Sequence, residues 1–121
     1  MIFGAHVIVS SRDEDADRTF LRDVLEWESV DAGHGWLIFG LPPAELAVHP
    51  GDGAPEVSLS LMCEDLAAEV GRLRERGVVC APTEEARWGS VTRFHLPGGA
   101  EIGLYEPRHP SPLRPHAGGA S

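Results

Sequence analysis

The sequence predicts an α+β domain of two tandem β-α-β-β-β modules. Three features carry this expectation. An order of strand, helix and further strands occurs twice along the chain. A Pro-Gly-Asp-Gly-Ala-Pro stretch at residues 50–55 separates the two runs. The halves end on similar segments, Glu45-Leu46-Ala47-Val48-His49 and Glu101-Ile102-Gly103-Leu104-Tyr105.

The elements follow in order. The β-branched run in Ala5–Ser10 reads as a strand. Ser11 with Glu14 fits a capping box, and Ala16, Phe20, Leu21, Val24 and Leu25 then share one helical stripe that should end near Trp27. Strands are expected around Glu28–Val30, Gly35–Gly40 and Ala44–His49, punctuated by Gly33, Gly35, Pro42 and Pro43. After the linker, Val57–Cys63 reads as a strand. Glu64–Arg76 places Leu66, Val70 and Leu73 on one helical face, with Gly77 as its stop. Val78–Cys80, Ser90–Leu96 and Glu101–Glu106 read as strands, the last two joined by a Pro97-Gly98-Gly99 turn. The domain is expected to span residues 1–108, with modules at about 1–50 and 56–108. Residues 109–121 are poor in core formers and read as a loose tail.

Composition narrows the function. The 121 residues carry a formal charge of −9, which argues against a nucleic-acid partner. All ten basic residues are Arg, so lysine Schiff-base and phosphate-loop chemistry are excluded. No run of about 18 apolar residues is present, and no membrane partner is expected. Met1-Ile2-Phe3-Gly4 has no basic leader, and Cys63 and Cys80 lack metal or redox spacing. These features predict a cytoplasmic protein with two reduced, buried thiols.

The chain resembles the vicinal oxygen chelate superfamily, which includes glyoxalase I, bleomycin-resistance proteins, fosfomycin-resistance enzymes and extradiol dioxygenases. His6 with Asp13 looks like the family's first strand and helix start. Phe20-Leu21-Arg22-Asp23-Val24-Leu25 is similar to its Phe-Tyr-x-x-x-Leu-Gly segment, with Glu26 in place of the glycine. Trp88-Gly89, Leu96-Pro97-Gly98-Gly99 and Gly103-Leu104-Tyr105-Glu106-Pro107 look like its closing strands and turn. The resemblance implies a curved mixed sheet around a cleft, often completed by dimerisation. In metal-using members, one divalent ion is held by His and Glu from the first and last strands of each module.

Those positions are filled unevenly here. His6 stands at the first ligand position, but Ser58, or Val57 in the neighbouring register, stands at its counterpart. The family's last-strand ligand position falls on Gly103, which has no side chain to coordinate, while Glu101 lies two residues earlier on the same strand face. Glu45 looks like the family's Glu-Leu ligand, yet the internal repeat pairs it with Glu101 and pairs Ala47 with Gly103. Two arrangements follow. His6, Glu45 and Glu101 hold a divalent metal (Fe, Mn, Ni or Zn). Alternatively no metal binds, and Ala47 and Gly103 widen a cleft edged by the two carboxylates. The ligand count favours the second. Trp36, His49, Ser58 and Tyr105 complete the expected lining, with Trp88 as a possible cap; sheet packing is the plainer role for each Trp. Tyr105 is a proton donor only beside a metal or oxyanion.

The expected function is therefore a homodimeric small-molecule-binding protein of the bleomycin-resistance type, sequestering a ligand without a cofactor and with no catalytic residue assigned. The alternatives are a metal-dependent lyase, isomerase or dioxygenase with an atypical His/Glu/Glu site, and a regulatory module that has lost its ligand.

Overall fold

A computed structural model of the chain describes residue 3 and residues 6–48, 50, 53–54 and 56–113. Its elements are α1 (Glu14–Asp23), β1 (Ser29–Asp31), β2 (Leu37–Phe39), β3 (Ser60–Met62), α2 (Leu66–Glu75), β4 (Glu84–Ala86), β5 (Gly89–His95) and β6 (Glu101–Pro107).

The second half forms a four-stranded sheet in the order β3-β6-β5-β4. β3 runs parallel to β6, while β6, β5 and β4 are antiparallel neighbours, so the sheet is mixed as expected. The first half contributes α1 and a β1-β2 hairpin. Both sheets are open rather than curled around a cleft.

Local chemistry accounts for the helices. Asp65 caps α2 by accepting the Ala68 N–H, and Glu106 accepts the Leu66 N–H at 2.9 Å. Gly77 ends the helix at φ +84°, a conformation that costs a residue with a Cβ about 1–2 kcal/mol. The cap of α1 is Asp13 rather than Ser11, and the Ser11 hydroxyl instead accepts the Asp13 N–H. Acidic side chains in the first turn of α1 complement the helix dipole. At the far end α1 stops at Asp23, short of Trp27. There Arg72 and Arg76 of the second half donate to the carbonyls of Val24 and Asp23.

One core serves both halves. Leu66, Val70 and Leu73 of α2 bury against Phe94, Leu96, Ile102 and Leu104 of the sheet, and Cys80 joins them. Burial of each large apolar side chain contributes roughly 1.5–3 kcal/mol. Phe20, Leu21, Val24 and Leu25 of the first half pack against this same core, and the Phe20 and Phe94 rings lie 6.0 Å apart. A polar clamp fixes the start of α1: buried Asp17 accepts the Gly98 N–H at 2.6 Å, and Arg12 N–H donates to the Gly98 carbonyl. Gly98 suits this approach because a Cβ there would sit 1.9 Å from the Ser11 hydroxyl and 2.8 Å from the second Asp17 oxygen.

Several expected strands are replaced. Residues 6–10 and 44–48 are not strands, although both carry β-branched residues; among the described residues no partner strand is hydrogen-bonded to either, and Ile8, Leu46 and Val48 are 80%, 88% and 87% exposed. Residues 78–80 form no strand either. The edge strand is β4, four residues further on; ahead of it Ala81 meets β5, its N–H donating to the Arg93 carbonyl and its carbonyl accepting the Thr92 hydroxyl. Glu26, where the resembling segment has glycine, adopts φ +61° and ion-pairs with Arg76 at 3.1 Å.

Two stability predictions follow from these contacts. Asp17→Ala leaves the Gly98 N–H without its acceptor and is expected to cost ~2 kcal/mol in a urea titration. Glu26→Gly relieves the left-handed backbone but adds unfolded-state entropy, for a net gain of ~0.5 kcal/mol by the same measurement.

Candidate functional site

Strand β6 alternates strictly. Ile102 and Leu104 point into the core, so Glu101, Gly103 and Tyr105 share the opposite face. The register sets their neighbours on that face: His95 beside Glu101, Arg93 beside Gly103 and Val91 beside Tyr105 on β5, with Ser60 and Met62 of β3 beside Gly103 and Tyr105.

The two ends of this face differ in chemistry. At one end Glu101 lies 3.5 Å from the Arg93 guanidinium and 3.8 Å from the His95 ring, all of them well exposed. Such pairs contribute little, on the order of 0–1 kcal/mol. In the middle, a Cβ on residue 103 would lie 2.3 Å from the Ser60 hydroxyl, so glycine is needed for close packing rather than for an open floor.

At the other end Tyr105 meets the first half of the chain. Its hydroxyl donates to Glu45 Oε2 at 3.1 Å, and Nε2 of His109 lies 3.0 Å from the same phenol oxygen. The Ser111 hydroxyl donates to Glu45 Oε1 in a short contact. Trp88 meets the Tyr105 ring edge-on at 5.8 Å. The Glu45 side chain is only 16% exposed and Ser111 only 3%. A carboxylate removed from water in this way is tolerable because both oxygens accept hydrogen bonds.

Proton counting adds a constraint. Nδ1 of His109 faces the Pro110 carbonyl at 2.8 Å, and a carbonyl only accepts, so Nδ1 carries a hydrogen. Tyr105 has one hydroxyl proton, and it lies on Glu45.

Tyr105 is a held donor rather than an acid or base. Burial raises its pKa from 10.0 to about 12, reinforced by the Glu45 charge and by the hydrogen bond to it. The thiols are similarly quiet. Burial, then Glu69 and Glu106, push Cys63 up to about 11, and burial raises Cys80. Both cysteines are free; Cys80 is buried as expected, whereas Cys63 is only half-buried.

The expected site residues are thus gathered only in part. Glu45 and Tyr105 are in contact, and Glu101 and Gly103 share the Tyr105 face. His6, Ala47 and Ser58 are exposed and outside this cluster, and Ser60 rather than Ser58 stands opposite Gly103. Trp36 sits beside the β1-β2 hairpin with the Arg18 guanidinium 5.0 Å above its ring. His49 lies outside the described residues. Among the described residues no three His, Cys, Asp or Glu side chains are placed to hold a metal ion, so His6, Glu45 and Glu101 do not fit one as arranged. The residues missed by sequence reasoning are His109 and Ser111. They lie in the Pro-rich segment read as the start of a loose tail, where no periodicity marks a buried residue.

No protein-family description matches the sequence, and no curated protein matches it. Solved structures do. TnmS3, an antibiotic binding protein from Streptomyces sp. CB03234, superposes with a TM-score of 0.66 at 24% identity, covering 88% of this chain and 98% of that one. A glyoxalase/bleomycin resistance protein from the same organism gives 0.57 at 26% identity, covering 80% and 94%. A glyoxalase/bleomycin resistance protein/dioxygenase superfamily member from Sphaerobacter thermophilus DSM 20745 gives 0.59 at 26% identity, covering 87% and 98%. In fold the chain is similar to these glyoxalase/bleomycin resistance protein/dioxygenase superfamily members. Its second half is the more regular part, and no helix among the described residues is long and apolar enough to cross a membrane.

Tyr105 is the sole tyrosine, so ultraviolet titration reads it directly. Ionisation is expected near pH 12 and at a lower pH in Glu45→Gln, with burial, the larger cause, still holding it above 10. Because the folded value is raised, this group's contribution to stability is complete below about pH 10 and is lost as pH rises toward about 12.

Proposed function

We propose that the chain is a small-molecule-binding protein of the glyoxalase/bleomycin-resistance type, holding its ligand between two β-α-β-β-β modules. The observation that carries this reading is the Glu45–Tyr105 contact. It joins the two halves through a shielded carboxylate and a phenol, beside the half-exposed ring of Trp88. A few directional polar groups against an aromatic wall suit ligand recognition. The antibiotic-binding neighbour and the bleomycin-resistance neighbour support binding as the activity. The weakly acidic Tyr105 and the absence of a convergent His/Glu/Glu set among the described residues favour it over metal-assisted catalysis, and no reaction step is derived.

The tandem modules and the homodimer belong to the same proposal. The order β3, α2, β4, β5, β6 supports one such module, and the order α1, β1, β2 is consistent with the middle of another. Segments 6–10 and 44–48 stand where the repeat calls for the outer strands, and their bare apolar side chains need cover. A second copy of the chain supplies that cover.

Two measurements test the proposal. Light scattering is expected to give twice the 13.0 kDa chain mass. Tryptophan quenching with a panel of aromatic antibiotics is expected to saturate, to be indifferent to EDTA, and to weaken about ten-fold or more in Glu45→Gln, as for loss of a charged hydrogen-bond partner. A stoichiometric, tightly held divalent ion that is lost on His6→Ala would overturn the binding reading in favour of the metal-dependent one.

A further inference from the structure

The Glu45 carboxylate is already occupied, and its occupant is the chain itself. Ser111 donates to one oxygen. Tyr105, backed by His109, serves the other, and His109 Nε2 lies 3.9 Å from that same oxygen. The segment is anchored at Arg108. Arg108 N–H donates to the Trp88 carbonyl at 2.8 Å, and its guanidinium holds Glu85, Ser90 and the Ala86 carbonyl. The Ser111 hydroxyl in turn accepts the Leu113 N–H at 3.0 Å. Residues 109–113 therefore form a short strap, hinged at Arg108, that lies over Glu45 and Tyr105. Two open depressions among the described residues lie elsewhere: about 410 Å³ beside Phe20, Val24 and Val79, and about 340 Å³ beside Ser11 and Gly98.

We propose that residues 109–113 are an internal stopper for the Glu45–Tyr105 site, and that the ligand class it mimics is a cationic amine carrying a hydroxyl or similar donor. This rests on the small-molecule-binding reading of the site and names what that site takes. The chemistry of the occupant defines the class. Ser111 presents a neutral O–H. The His109 ring places Nε2 3.9 Å from the Glu45 carboxylate. Ser111 serves Glu45 as a donor, and an ionised Glu45 only accepts. An anionic or acceptor-rich ligand would meet an uncompensated buried charge, at a cost that a protonated amine avoids. The strap is also built to leave. Among the described residues it makes its site contacts through two side chains, and its exit removes no residue of the shared core. Displacement then exchanges one set of donors on Glu45 for another, so the apparent affinity of the intact chain is lowered by the fraction of time the strap is in place.

Dansylcadaverine, a fluorescent primary amine, and its N-acetylated neutral form are the probes, titrated into the full chain and into the His109→Ala/Ser111→Ala double variant. The amine is expected to bind the double variant at least ten-fold tighter than the unmodified chain, with the acetylated form unchanged between them. Adding Glu45→Gln to the opened background is expected to remove the gain. A chain ended after Arg108 is the second opened form and is expected to match the double variant. Equal amine affinity for the intact and both opened chains would overturn the stopper while leaving the binding reading in place. An equal gain for the acetylated probe would overturn the amine class. No binding of either probe to any form would overturn the stopper and the binding reading together.

Discussion

The two-residue alternation of β6 is the constraint on which the rest of the molecule depends. Ile102 and Leu104 must face the core, because α2 and α1 both close on that side of the sheet. Once they do, Glu101, Gly103 and Tyr105 have no choice but the other face. A slip of one residue would bury a carboxylate and a phenol and expose the core. The site is therefore a by-product of core burial, and its register is as secure as the core itself.

The first half is held to the second by two kinds of contact. Apolar packing of Phe20 and Val24 supplies most of the attraction, being non-directional and proportional to area. Direction comes from polar ties: Asp17 to Gly98 at the start of α1, Arg72 and Arg76 at its end, and Glu45 to Tyr105 beyond the hairpin. The last of these is the one with functional content, since it brings a carboxylate from the first half to a phenol from the second. Asp17 is a close parallel in chemistry but not in role. It is buried with one oxygen satisfied by a backbone amide, which makes it a structural clamp.

Legibility followed sequence distance. The α2 stripe, the Gly77 stop, the turn at residues 97–99 and strands β5 and β6 were all readable, because periodicity, capping and turn chemistry act within a few residues. The outer strands of the first half were not. Their β-branched composition is real, but a strand exists only with a hydrogen-bonded neighbour, and composition does not name one. The cap of α1 moved from Ser11 to Asp13 for a tertiary reason: Ser11 is packed against Gly98. At the site, Glu45 and Tyr105 could be nominated from the repeat, but their mutual contact could not. His109 and Ser111 gave no signal, since a Pro-Ser-Pro segment has the composition of a solvated tail whether or not it docks.

The sequence by itself determined the family resemblance, the mixed α+β order of elements and the unequal chemistry of the two halves, with His6 matched by Ser58 and Gly103 at an expected ligand position. These are statements about residue identity and local pattern, which a one-dimensional string contains. Tertiary structure alone decided which carboxylate is shielded and which is spent on surface ion pairs. It also decided that a segment over sixty residues from Glu45 covers it. The physical reason is that side chains distant along the chain compete for the same carboxylate oxygens, and only the folded chain shows which of them reach it. Glu45 meets Tyr105 and Ser111, whereas Glu101 meets Arg93 and His95.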